Sequence, residues 1–133
     1  MKSRWIVHKG VEILYGDFSG FQKNVEALRA EVRAADREIL GKPPGTVLTV
    51  ADLTGTVTSR EVVELFRQSA MATKNHVRRQ AVVGVTGVQK ILAQGVALFS
   101  GQSMHLFQSA DQAKDWLAGG EHQGEKISAD VRS

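Results

Sequence analysis

Two aspartates close apolar runs in this chain: Asp17 after VEILYG and Asp52 after VLTVA. Ligands of open α/β sheets gather at the carboxyl ends of the strands. If both runs are strands, two carboxylates lie side by side where a magnesium ion could be held and one aspartate phosphorylated. Asp52 also opens the sequence Asp52-Leu53-Thr54-Gly55-Thr56, an Asp-x-Thr-Gly-Thr spacing that suits a phosphorylated aspartate. That chemistry needs further parts: a second acid two residues on, a later lysine, and an acidic Gly-Asp-Gly-x-x-Asp type of turn to hold the metal. The position two residues on is Thr54, and the late acids Asp111, Asp115, Glu121, Glu125 and Asp130 form no such turn. A transferring phosphoryl group would find neither metal cage nor cation to stabilise its charge. Asp52 reads instead as a residue that ends a strand and starts a turn by bonding its own backbone.

Other constellations are weaker. The segment GVTGVQK places Gly84, Gly87 and Lys90 where a strand meets a helix N-terminus, so its amides are candidates for binding an anion. It lacks the glycine spacing of a Walker loop or a dinucleotide fingerprint. Thr54, Thr58 and Ser59 put three hydroxyls in the loop after Asp52, and Thr58 or Ser59 is positioned to cap the helix that follows. His8, His76, His105 and His122 show no helical ligand spacing, so no metal site and no cofactor are expected. There is no Gly-x-Ser-x-Gly nucleophile turn.

Composition narrows the classes further. A chain of 133 residues suits one domain with a core that needs no metal or cross-link. It has no cysteine, which removes disulfides and thiol chemistry and fits a reducing compartment. The longest apolar stretches are too short for a signal peptide or a membrane span, so a cytoplasmic protein is expected. The net charge is +3, and the densest basic run, KNHVRR at 74–79, has no aromatic residue for base stacking; nucleic acid is not expected as a partner.

The elements that would position these groups follow from the apolar periodicity. Two β-type runs flank His8-Lys9-Gly10, as in a hairpin. Phe21, Val25, Leu28, Val32, Ala35 and Ile39 step by three or four and make one helical stripe with Ser19 as its cap, while Lys23, Glu26, Arg29, Arg33 and Asp36 face water. GKPPG then breaks the chain. TVLTVA and QAVVGV are apolar on both alternations, as in strands covered on both faces. TSREVVELFRQSAMATK and TGVQKILAQGVALFS are helices, SMHLF a short strand, and SADQAKDWLAG a helix capped by Ser109 with Ala113, Trp116 and Leu117 inward. The order is a hairpin followed by four strand-helix units. It predicts an α/β domain over residues 1–118, with a mostly parallel sheet of four or five strands, and a flexible polar tail over 119–133.

The blocks VEILYGDFSG, VLTVADLTGT, RRQAVVGVTGVQKIL, ALFSG and MHLFQSADQAKDWLAG stand in an order and spacing that resemble SpoIIAA-like, or STAS-like, domains over roughly residues 5 to 118. The resemblance implies the fold of the anti-anti-sigma factors and action by binding partners or small ligands without catalysis. In that branch a phosphorylatable serine lies in an Asp-Ser-x-Gly motif at the start of a helix. The matching loop here is DLTGTVTSREVV, where Thr58 and Ser59 are followed by Arg60 and Glu61, so the position is kept and the motif is not. Asp52, Thr54, Thr58 and Ser59 are then the candidate partner-binding or phospho-switch residues. The expected function is a non-catalytic regulatory or protein-binding module. The alternative is a binder of a lipid or other apolar molecule, using Val62, Phe66, Met71, Ile91, Leu92 and Phe99. The partner is another protein or, through the apolar segment VQKILAQGVALFSG, a second copy in a homodimer.

Overall fold

The structure is a computed structural model that describes residues 1–85, 104–122 and 124–127, the last of them for its backbone alone. The helix expected over TGVQKILAQGVALFS, and with it Gly87, Lys90, Ile91, Leu92, Phe99 and the proposed dimer segment, lies outside the described residues. The described elements in chain order are β1 (Arg4–His8), β2 (Val11–Asp17), α1 (Val25–Leu40), β3 (Val47–Asp52), α2 (Arg60–Thr73), β4 (Val77–Val83), β5 (Met104–Phe107), α3 (Ala110–Leu117) and β6 (Glu125–Ile127).

The first two strands form the expected hairpin. His8 pairs with Val11 across a two-residue turn, and Lys9 and Gly10 take positive φ of 51° and 80°, the geometry whose twist matches that of the strands it joins. From β2 to β5 the strands run parallel, and β1 and β6 close the sheet antiparallel at its two edges. The α/β architecture and mostly parallel core agree with the sequence. Among the described residues the sheet has six strands, in the spatial order β1-β2-β3-β4-β5-β6, rather than four or five. The additional strand is β6, whose Glu125 to Ile127 pair with Leu106 to Met104 inside the stretch expected to be a loose tail.

Right-handed crossovers that always step the same way along a sheet put their helices on one face. Accordingly α1 and α2 share a core with Leu14, Val47, Ala51, Val82 and Leu106. The connection through α3 ends in an antiparallel strand, so that rule does not bind it. Its Ala113, Trp116 and Leu117 cover the opposite face with Ile13, Leu48, Val50, Ala81 and Phe107. Successive residues of β3 and of the second half of β4 thus serve different helices, which is why Val47, Leu48, Val50 and Ala51 and then Ala81, Val82 and Val83 are apolar on both alternations.

The helix starts show what capping decides. Ser59 Oγ accepts from Val62 N and Ser109 Oγ from Gln112 N, each at 3.2 Å. The first helix begins later than expected, with Asn24 as its cap accepting from Ala27 N. Ser19 is instead drawn into Asp17, whose Oδ1 accepts its backbone N–H and hydroxyl.

Two acids of α1 also depart from the amphipathic expectation. Glu31 is buried and its two oxygens accept the backbone N–H groups of Lys2 and Ser3 at 2.9 Å each. Burial raises its carboxyl, but those hydrogen bonds outweigh it and hold the group below the ordinary glutamate range. Asp36, expected in water, lies against α2 and accepts a 2.6 Å hydrogen bond from Ser69 Oγ. Desolvation there raises its carboxyl, against the opposing pull of Ser69 and Arg37.

Candidate functional site

Asp17 and Asp52 are register partners at the ends of β2 and β3, side by side as the sequence suggested. Their carboxylates nonetheless have separate partners. Asp52 Oδ2 accepts from Tyr15 Oη at 2.6 Å, and Oδ1 accepts from Thr54 N at 3.0 Å, closing a turn on its own backbone. Asp17 holds Ser19 on one side and has Lys2 Nζ and Arg4 Nη1 at 3.7 and 3.9 Å. Burial raises the Asp52 carboxyl, but the bonds from Tyr15 and Thr54 outweigh it and keep the group below the usual aspartate range. Burial, then the bond to Asp52, drives the Tyr15 phenol well above its ordinary value, so it stays a donor. Among the described residues no group of three or more acids and histidines is arranged to hold a metal ion.

The residues after each aspartate continue the pairing of β2 and β3 past their ends. Phe18 N donates to Asp52 O, Gly20 N to Thr54 O, Gln22 N to Gly55 O and Val57 N to Gln22 O, all within 2.8 to 3.1 Å. Thr56 is buried, donating its hydroxyl to Phe18 O and accepting from Phe21 N. Gly55 takes a φ of 73°, a conformation that costs a non-glycine residue roughly 1 kcal/mol or more. The spacing that suggested a phosphoaspartate is therefore that of a two-loop seam: Thr54 and Thr56 supply hydrogen bonds and Gly55 the turn.

A third strand end is joined to this seam. Leu53 N donates to Val83 O at 2.9 Å. Gly84 has a φ of 85°, and a Cβ placed on it would meet Thr54 N at 2.5 Å. Of the three proposed anion-binding residues, the one described is thus filled on its side-chain side by the neighbouring loop.

What the seam leaves outward is a short surface. Thr54, Gly55, Val57, Ser59, Arg60 and Glu61 are exposed, with Val57 at 45 %. Arg29 of α1 reaches Glu61 at 3.2 Å and ties the two helices beside it. Thr58 is half-buried and faces the space beneath α2. Of the residues offered for an apolar ligand, Val62 is core at 1 % exposure, Met71 is exposed, and Phe66 lines that space. Glu31 and Asp36 are the polar groups that sequence reasoning missed or misplaced. The available signal for Glu31 was its place on the Leu28-Val32-Ala35 side of the helix, where a charge needs a partner.

No family model matches the sequence, and no curated protein is significantly similar to it. The fold is similar to a solved structure described as an anti-sigma-factor antagonist (STAS) domain protein from Planctomyces limnophilus. The two share 15 % identity with a TM-score of 0.58, over 88 % of this chain and 98 % of that one. The chain therefore has a STAS-like fold. Among the described residues no helix is long and apolar enough to cross a membrane.

Proposed function

We propose that this chain is a non-catalytic regulatory module that docks a protein partner through the loop Asp52–Ser59 and the first turn of α2. The observation that carries this is a loop whose backbone is fixed by the seam while Thr54, Val57 and Ser59 face outward. A pre-ordered surface loses little entropy on association. The solved neighbour described as an anti-sigma-factor antagonist domain supports an anti-sigma-type protein as the partner class. Both Asp52 oxygens are committed to Tyr15 and Thr54, which leaves hydroxyls, not a nucleophilic carboxylate, as the loop's adjustable groups.

Ser59 offers a switch on that surface. Its exposed hydroxyl caps α2 next to Arg60, and a phosphate there adds nearly two negative charges at the positive end of a helix. The test replaces Thr58 and Ser59 by Ala and, separately, by Asp, and compares captured partners by quantitative mass spectrometry after circular dichroism has confirmed folding. Loss or exchange of a partner is expected with the Asp pair; identical partner profiles for all three proteins would sink the proposal.

A further inference from the structure

Between the sheet and the α1–α2 pair lies a partly open cavity with room of about 80 Å³. Small residues share its lining with larger ones such as Phe18, Ile39, Leu53 and Met104, and the Phe18 ring already fills the side-chain side of Gly16. Gly16 and Ala51 come from the sheet, Ala35 from α1 and Ala70 from α2, while Leu14 and Phe66 stand around them. Interiors are otherwise packed to crystal-like density, with few voids larger than a water molecule.

One polar group in this wall has no hydrogen-bond partner among the described residues. Thr49 is the midpoint of the α1–α2 side of β3, between Val47 and Ala51. It is 5 % exposed, lines the cavity, and its Oγ1 is buried without a hydrogen-bond partner among the described residues. A valine would fill the same volume, and a buried hydroxyl destabilises unless something bonds to it. Its register neighbour on β4, Gln80, lines the cavity too. Asp36 and Ser69, bonded to each other at 2.6 Å, belong to the polar lining, as do Thr58 and Thr73, whose hydroxyl donates to Ser69 O.

We propose that this cavity binds a small uncharged organic molecule with an apolar body and one hydroxyl or amide group, which hydrogen-bonds to Thr49 Oγ1. The volume sets the size. An apolar cavity of about 150 Å³ accepts benzene, so 80 Å³ suits a body of roughly four or five non-hydrogen atoms and excludes a whole acyl chain. The carboxyl of Asp36 in the wall disfavours an anionic ligand. The helix that roofs the cavity, α2, also carries the proposed partner surface, and Thr58 belongs to both. Occupancy therefore adjoins the partner surface, although the site itself does not depend on the partner.

The test titrates n-butanol, and in parallel butyrate, into the intact protein, followed by amide NMR. Saturable shifts centred on Thr49, Ala51 and Gln80 are expected with butanol and none with butyrate. Thr49→Val should stay folded and bind butanol about three- to tenfold more weakly, the effect of one lost hydrogen bond. Ala70→Leu, which places a side chain in the space, should abolish binding; should that variant not fold, the Thr49→Val titration decides alone. Three results overturn the proposal: no saturable shift, so that the cavity holds water only; undiminished binding by Thr49→Val; or butyrate binding as tightly as butanol. Partner capture by the Ser59 variants is read separately, so failure of either proposal is visible on its own.

Discussion

The two faces of the sheet are packed by opposite means. On the α3 face Trp116 stacks on His105 at 4.3 Å, meets Phe107 at 5.4 Å and has the Arg79 guanidinium 5.6 Å from its ring. That one large ring joins α3 to β4 and β5. On the α1–α2 face, Phe18 and Phe66 meet edge to face at 5.4 Å beside a cavity also lined by Ala35, Ala51 and Ala70, and a threonine hydroxyl is buried without a partner among the described residues. Both faces use the same strands, so backbone geometry does not explain the contrast. The side chains differ: one ring fills the middle of the α3 face, while the aromatic pair of the other face borders a cavity.

Substitutions can break or sharpen that contrast. The largest effect is expected from Trp116→Ala, which should cost about 3–5 kcal/mol, typical of a buried aromatic, in denaturant unfolding. Phe66→Ala removes an aromatic ring that already borders a void, and should cost about 1–2 kcal/mol, well under the usual range for such a truncation. Equal costs for the two would show that the faces are packed alike. Thr49→Val should raise stability by about 1 kcal/mol, because it removes an unbonded buried hydroxyl at constant volume; a loss of stability would mean that the hydroxyl has a structural partner.

The smallest effect tests Asp36 by pH. Its folded-state affinity for a proton is raised by desolvation, so the stability it lends is complete below the unfolded aspartate value of about 4 and is lost as pH rises through the folded one. Asp36→Asn escapes that loss and keeps an acceptor for Ser69. The variant should melt a few degrees higher than the natural chain at pH 7, with the gap closing as pH falls towards 4. Glu31 runs the other way, its contribution being lost as pH falls, but it is present in both proteins and cancels from the difference. A gap independent of pH would show that Asp36 is not desolvated when charged.

The features legible in the sequence are those that depend on near neighbours. The Lys9-Gly10 turn, the doubly apolar strands and the caps at Ser59 and Ser109 rest on residues within a few positions of one another. Asn24 displaced Ser19 as a cap because Asp17, two residues earlier, claimed that serine. Glu31 is burdened by backbone groups 28 and 29 residues away, which no local pattern displays. The site divides in the same way. That Asp17 and Asp52 would be adjacent followed from strand order, while their separate partners depend on Tyr15 and on the loop beyond. The cavity was least legible, since an apolar stripe marks which residues face inward and not whether distant stripes fill the space between them.

The strand order of this sheet is also the order of the chain. Each strand leaving the ribosome finds its edge partner already made, and none waits for a later segment to be inserted between two earlier ones. The last helix reaches back across finished structure to the first hairpin, through the contact of Asp115 with His8 and Lys9. During vectorial synthesis the half carrying the seam can therefore assemble first. The α3 face is then the late step, and a stalled chain ending before it would expose Ile13, Leu48, Val50 and Ala81 to chaperones.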